Sequence, residues 1–202
     1  RNQLARLPDN QLAFSNWLEV RQMALDLGYQ QKTLTNFERE GHYRYEEFSY
    51  QAERFDGIGF GPEAISIFSD EETQMAVKWM NQSDSSAYRR AIATQGKAHA
   101  QVFVYGATDM RLLHLTRGLA RLRISQQVYH NRFGSQLASD FGPEIEALEK
   151  ASLIELDAQE LRLTPKGMFF SDSVVGLLAS RRVRELRSGV SLEIEKPIIR
   201  MG

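Results

Sequence analysis

Three glycines at alternate positions, Gly57, Gly59 and Gly61, with Ile58 and Phe60 between them, constrain this chain more than any other stretch. In a strand every second side chain faces the same way. The spacing therefore predicts a strand over 55–61 with one bare face. Bare glycine in a strand marks a place where a ligand or another backbone comes close, and the alternative is a glycine-rich turn or bulge. Pro62 and Glu63 follow the glycines, so this is not the G-x-G-x-x-G that opens a helix in dinucleotide-binding folds.

The chain has 202 residues, enough for one large domain or two small ones, with 42% hydrophobic and 25% charged residues. A net charge of -1 gives no electrostatic argument for nucleic acid or an anionic membrane. No apolar run approaches the ~20 residues of a membrane span, and 1–28 has no signal-peptide character. The absence of Met at position 1 predicts a processed start or a cut within a longer protein. There is no cysteine, which excludes disulfides and any thiolate zinc or iron–sulfur site supplied by these residues. A cytoplasmic location is the simplest expectation.

Along the chain, 9–27 reads as a helix stopped by Gly28, 29–37 as a strand, 38–54 as a polar and aromatic loop, and 55–61 as the glycine strand. The stretch 66–83 is either a short hairpin or a connection. A helix follows over 84–94, with Tyr88, Ala91 and Ile92 inward and Gly96 at its end. From Ala107 a leucine-rich helix is apolar on most sides, as buried helices are. Helices over 124–133 and 143–151 come next. Then Leu153-Ile154-Glu155-Leu156 and Leu161-Arg162-Leu163, joined across 157–160, read as a hairpin. Thr164-Pro165 starts a last helix, with Thr as cap and Pro in the first turn. Helices, a small wing, then a helix is the order of a winged-helix module.

Chemistry-bearing clusters are sparse. His42, His99, His114 and His130 have no i, i+3 or i+4 partner, so no helical metal site is predicted, and His114 is expected to be a core or interfacial histidine. The pairs Glu46-Glu47 and Asp70-Glu71-Glu72 read as solvated loop charge. Arg181, Arg182, Arg184 and Arg187 are either a nucleic-acid contact or the cationic end of a helix; neutral overall charge favours the second. Tyr43, Tyr45, Phe48 and Tyr50 could line a flat-ligand pocket or fold the loop onto a sheet. No catalytic residue is identified.

The order of Leu7-Pro8, Leu27-Gly28-Tyr29, Leu34-Thr35-Asn36-Phe37-Glu38-Arg39-Glu40-Gly41-His42 and Gly57 to Ser66 resembles the oxygen-independent coproporphyrinogen III oxidases and their relatives. Phe141-Gly142, Leu148, Leu153-Ile154 and Leu161-Arg162-Leu163-Thr164-Pro165-Lys166-Gly167 are similar to the C-terminal domain of that family, which sits over the barrel mouth. These are radical S-adenosylmethionine proteins, among them a haem chaperone, haem-degrading enzymes, methyltransferases and cyclopropanases. The resemblance spans about residues 7 to 180. It implies an α/β plus mostly α fold: the last strands of a partial (β/α) barrel over 1–68, a linker and connecting helix over 69–106, a winged-helix-like domain over 107–180 and a basic tail over 181–202.

The resemblance also implies the cofactors, S-adenosylmethionine and a [4Fe–4S] cluster. The family's Cys-x-x-x-Cys-x-x-Cys motif is absent here, as is the Gly-Gly-Glu segment, so the cluster would be ligated outside this chain, in a missing N-terminal barrel half. Ala64 and Ile65 match the place where the family's backbone touches S-adenosylmethionine, beside Gly59 and Gly61. Leu153 falls where an apolar residue lies against the cofactor region. Thr35 stands where the oxidase has an acid, Asn36 and Phe37 match relatives, and Glu63 replaces a small residue; these departures imply a diverged relative. The expected whole protein is an enzyme acting on a tetrapyrrole or other flat molecule by hydrogen abstraction or methyl or methylene transfer, with this fragment alone inactive. The alternatives are a non-enzymatic haem-binding relative or a winged-helix nucleic-acid module. An incomplete barrel should expose sheet edges, which predicts self-association.

Overall fold

The computed structural model describes residues 8–41, 56–70 and 72–189. They group into two compact units: unit one comprises 8–41 and 114–181, and unit two comprises 56–113 and 182–189.

Unit one opens with helix α1 (Asn10–Asp26). The Asp9 carboxylate caps it, accepting from the Leu12 N–H at 2.8 Å. Gly28, with φ 81°, carries the chain away as expected. No residue of α1 is buried. The helix attaches by Phe14 and Trp17, whose rings meet Phe169 and Phe170 at 5.3 to 6.0 Å. The single strand expected over 29–37 is instead two short antiparallel strands, β1 (Gln30–Gln31) and β2 (Phe37–Glu38). Thr33 is the reason. It is buried, and its hydroxyl accepts from the N–H groups of Thr35 (3.3 Å) and Asn36 (3.0 Å), which turns the chain back on itself.

Unit two contains a three-stranded sheet of β3 (Ile65–Asp70), β4 (Met75–Asn81) and β5 (His99–Tyr105), in that order and wholly antiparallel. Helix α2 (Ser85–Gln95) joins β4 to β5, capped by Asp84 and stopped by Gly96 at φ 68°. Ile92, expected inward, is 42% exposed. The stretch 69–106 thus holds most of a sheet as well as its helix.

The second half of the chain carries α3 (Ala107–Ala120), which runs through both units, then β6 (Arg123–Ser125), α4 (Gln126–Phe133), α5 (Leu137–Lys150), β7 (Ile154–Leu156), β8 (Glu160–Leu163), α6 (Pro165–Phe169) and α7 (Ser171–Arg187), whose last turns belong to unit two. Strands β6, β8 and β7 form an antiparallel sheet with β8 in the middle. The helix expected from Ile124 starts at Gln126 because 123–125 pairs with β8; Ser125 caps it. The helix expected from Pro143 begins at Leu137. Phe141 is non-helical (φ −132°, ψ 23°) just ahead of Pro143, a kink that follows from proline's missing N–H and ring clash. The hairpin over 153–163 is where the pattern puts it. Thr164 caps and Pro165 opens the following helix, which breaks at Phe170 into α6 and α7.

The core of unit one is built from Leu115, Leu119, Ile124, Tyr129, Leu137, Ile145, Leu148, Ile154, Leu161 and Leu163, all buried. Each such side chain contributes roughly 1.5–3 kcal/mol. Every described ladder is antiparallel. The parallel pairing of a (β/α) barrel is therefore not found among the described residues. Among them, no helix is long and apolar enough to cross a membrane.

Candidate functional site

The glycine segment is not the strand its spacing predicts. Only Gly57 pairs, in an isolated antiparallel bridge with Ile67 (2.8 and 2.9 Å). Gly61 at φ 106° and Glu63 at φ 58° then turn the chain into β3. Left-handed backbone at two of three successive residues, with Pro62 between them, cannot continue a ladder.

The three glycines serve different ends. A Cβ on Gly59 would lie 2.4 Å from the Ile65 carbonyl oxygen, so here another backbone occupies the bare face. Added carbons at Gly57 and Gly61 would meet nothing within 4 Å. Ile58 is 63% and Phe60 86% exposed, and Ile65 is also exposed. The segment is pinned from below. Gly59 N–H donates to Ser66 Oγ at 3.0 Å, Gly61 N–H to the Tyr88 hydroxyl at 3.3 Å, and Asn81 Nδ2 to the Gly61 carbonyl at 3.0 Å. Asn81 N–H also donates to the Ala64 carbonyl at 3.0 Å. Ser66, Asn81 and Tyr88 are not among the site residues the sequence points to, although Tyr88 is expected to face inward. Ser66 closes the quoted motif and was within reach; the other two lie too far along the chain for any local signal. The result is open space over Gly57 and Gly61, beside exposed apolar side chains, with Gly59 closed between them.

In unit one, Thr35 and Asn36 lie in the turn between β1 and β2, where the Thr35 hydroxyl donates to Asn36 Oδ1 at 3.3 Å. Thr35 is exposed. Leu153 precedes β7, half-buried, and its carbonyl accepts from Thr164 N–H at 3.1 Å. That carbonyl also packs on Gly167, where a Cβ would come within 1.8 Å of it. Thr35, Asn36 and Leu153 thus belong to unit one, and Gly59, Gly61, Ala64 and Ile65 to unit two.

His114 is a core histidine, as expected: it is buried, edge-on to Tyr129 and Phe133, and burial, then the nearby Arg132 charge, pushes its pKa down to about 4. Asp70 caps the β3–β4 turn, accepting from the N–H groups of Glu72 and Thr73; the Thr73 hydrogen bonds foremost hold its carboxyl below the ordinary range. Of the arginine cluster, Arg181 bonds the Asp140 carbonyl, and Arg182 grips Asp109 at 2.8 and 3.0 Å. Arg184 and Arg187 close the last turn of α7. Two of the four are therefore engaged within the fold. His42, the aromatic residues Tyr43, Tyr45, Phe48 and Tyr50, the pair Glu46-Glu47 and Glu71 lie outside the described residues. Among the described residues no group of His, Asp or Glu is placed to hold a metal ion, and the chain has no cysteine. A [4Fe–4S] cluster does not fit the ligands of this chain.

Residues 119–170 match the family model of the HemN C-terminal domain. The structure is similar to that of coproporphyrinogen III oxidase (HemN) from Escherichia coli, described as a radical SAM enzyme, with a TM-score of 0.65 at 17% sequence identity. The alignment covers 88% of this chain and 43% of that one, so the chain spans less than half the length of the protein it resembles. At that identity the likeness is one of fold. No curated protein matches. The two findings together support a HemN-like C-terminal fragment.

Proposed function

We propose that this chain contributes one wall of an S-adenosylmethionine site to a radical S-adenosylmethionine enzyme related to HemN. The observation that carries the reading is the unfilled space over Gly57 and Gly61, on either side of the closed Gly59, with apolar Ile58, Phe60 and Ile65 beside it. Gly59, Gly61, Ala64 and Ile65 are assigned to the cofactor within unit two. Thr35, Asn36 and Leu153 are assigned within unit one on the family resemblance.

Bound there, S-adenosylmethionine would take one electron from a cluster held outside this chain, release methionine and supply a 5'-deoxyadenosyl radical for hydrogen abstraction, or it would supply a methyl or methylene group. The residues of this chain bind and orient it, and their apolar side chains keep water from the adenosyl face. The cluster belongs to a barrel half that carries the missing cysteines, so the whole protein, and not this chain alone, is the enzyme. The last barrel strands are assigned to the first part of the chain. The order α3, β6, α4, α5, β7, β8 supports a winged-helix-like module after them. The substrate is a tetrapyrrole or another flat molecule, and the protein works in the cytoplasm.

Anaerobic expression with an upstream half containing a three-cysteine motif tests this. The expected product is a brown protein that cleaves S-adenosylmethionine, and Phe60→Ala should weaken cofactor binding without unfolding it. A colourless protein that leaves the cofactor intact removes the reading.

A further inference from the structure

Unit one holds a second concave site, unrelated to the glycine segment. A cleft of about 350 Å³ is lined by Gln30, Gln31 and Lys32 of the β1 region, by 121–123, and by Glu160, Arg162, Leu163 and Met168. Its volume falls in the ~300–1,000 Å³ range of small-molecule sites and far exceeds a single ion or water.

The charge on its walls is one-sided. Four cations, Lys32, Arg121, Arg123 and Arg162, face one carboxylate, Glu160. Arg162 is already held by Glu155 (2.8 Å), Asp157 (3.1 Å) and Glu160 (3.6 Å), so it serves as a wall. Among the described residues, Lys32 and Arg123 form no ion pair.

Gln31, on the same wall, is held in place from behind. Gln31 Oε1 accepts from Arg21 Nε at 2.7 Å. Because arginine only donates, this bond fixes which end of the amide is oxygen. The other end, Nε2, is buried with no hydrogen-bond partner. Leu122, between Arg121 and Arg123, sits at φ 73°, a backbone state that leucine rarely adopts and that clusters at ligand sites.

We propose that this cleft binds a small molecule bearing two or more oxyanion groups, carboxylate or phosphate, with Lys32 and Arg123 as the charged anchors. The proposal stands independently of the S-adenosylmethionine site.

Titration calorimetry on the 202-residue chain at low salt tests it, with pyrophosphate and citrate in separate arms. Saturable binding of either anion, weakened by added salt, is expected. Binding of pyrophosphate alone identifies a phosphorylated ligand, and of citrate alone a carboxylate ligand; binding of both supports the shared chemistry. The double variant Lys32→Ala, Arg123→Ala should lose about tenfold or more in affinity. Arg123→Gln alone, at an exposed position, gives the same direction should the double variant misfold. The charge-matched control Arg89→Ala, Arg90→Ala on α2 should bind as the parent does. The proposal is overturned if neither anion binds, if the anchor variants leave affinity unchanged, or if the control weakens binding equally.

Discussion

Unit one hides its apolar side chains, whereas unit two displays them. From Leu115 to Leu163, unit one places residue after residue in a closed interior, with Tyr129 completely covered and its hydroxyl bonded to Asp140 at 2.6 Å. In unit two, Ile67, Ala76, Ala98 and Met110 are buried, while Val102, Phe103 and Val104 of β5 are 59%, 40% and 37% exposed. Consecutive residues of a strand point to opposite faces, so β5 is uncovered on both. It is also an edge of its sheet, and Gln101–Tyr105 carries no charge. An uncharged, apolar edge is a template for another strand. The contrast teaches that two regions of one chain can differ in whether their folding is complete in themselves.

The strongest way to break that comparison is Gly167→Ala. The new methyl would collide with the Leu153 main chain, which cannot swing aside as a side chain can, so unit one should lose roughly 4 kcal/mol in urea unfolding. A near-neutral result would mean that its interior is looser than described.

Next comes His114. Its ordinary pKa is 6.5, and in the fold it is pushed down to about 4. The unfolded chain takes up the proton first, so the stabilisation is whole above pH 6.5 and fades as pH falls from 6.5 towards 4. The gap corresponds to about 3 kcal/mol. Unfolding midpoints measured along this range should slope downward towards acid, and His114→Leu should flatten the slope; an unchanged slope would separate acid sensitivity from this residue.

In unit two the glycines sharpen the contrast. Gly59→Ala, pressed against the Ile65 backbone, should cost about 2 kcal/mol, and Gly57→Ala, facing open space, within about 0.5 kcal/mol. Equal losses at both positions would mean that Gly57 too is enclosed. The smallest stability effect is expected from Val102→Lys on the β5 edge, within about 0.5 kcal/mol. Sedimentation should nonetheless show less self-association, since a charge on an edge blocks pairing. If the variant associates like the parent, β5 is not the contact.

What was legible in the sequence is what is local. Asp9, Asp84 and Thr164-Pro165 announce helix starts because the capping carboxylate or hydroxyl and the N–H it bonds are three residues apart. The 153–163 hairpin is readable because its turn is short and Asp157 accepts from Gln159 and Glu160 within it. Strand β5 went unread because its alternation matters only beside β4, some twenty residues away. Thr33 looks like any strand threonine until its hydroxyl folds the chain over. The glycine triplet was read with the right physical reason and the wrong geometry. One glycine does admit a neighbouring backbone, but positive φ at Gly61 and Glu63 makes a corner and not a strand. Of the residues proposed to meet the cofactor, the sequence offers the segment through its resemblance. The supports that hold it, Asn81 and Tyr88, required the fold.

The chain's two tryptophans fall one on each side of the division. Trp17 leans on Phe169 at 5.9 Å, while Trp79 stacks on Phe68 at 5.4 Å and meets His99 at 4.8 Å. Each region therefore carries its own fluorophore. Replacing either indole with phenylalanine leaves an emission signal from one region alone, so the order in which the two melt can be followed optically without any added dye.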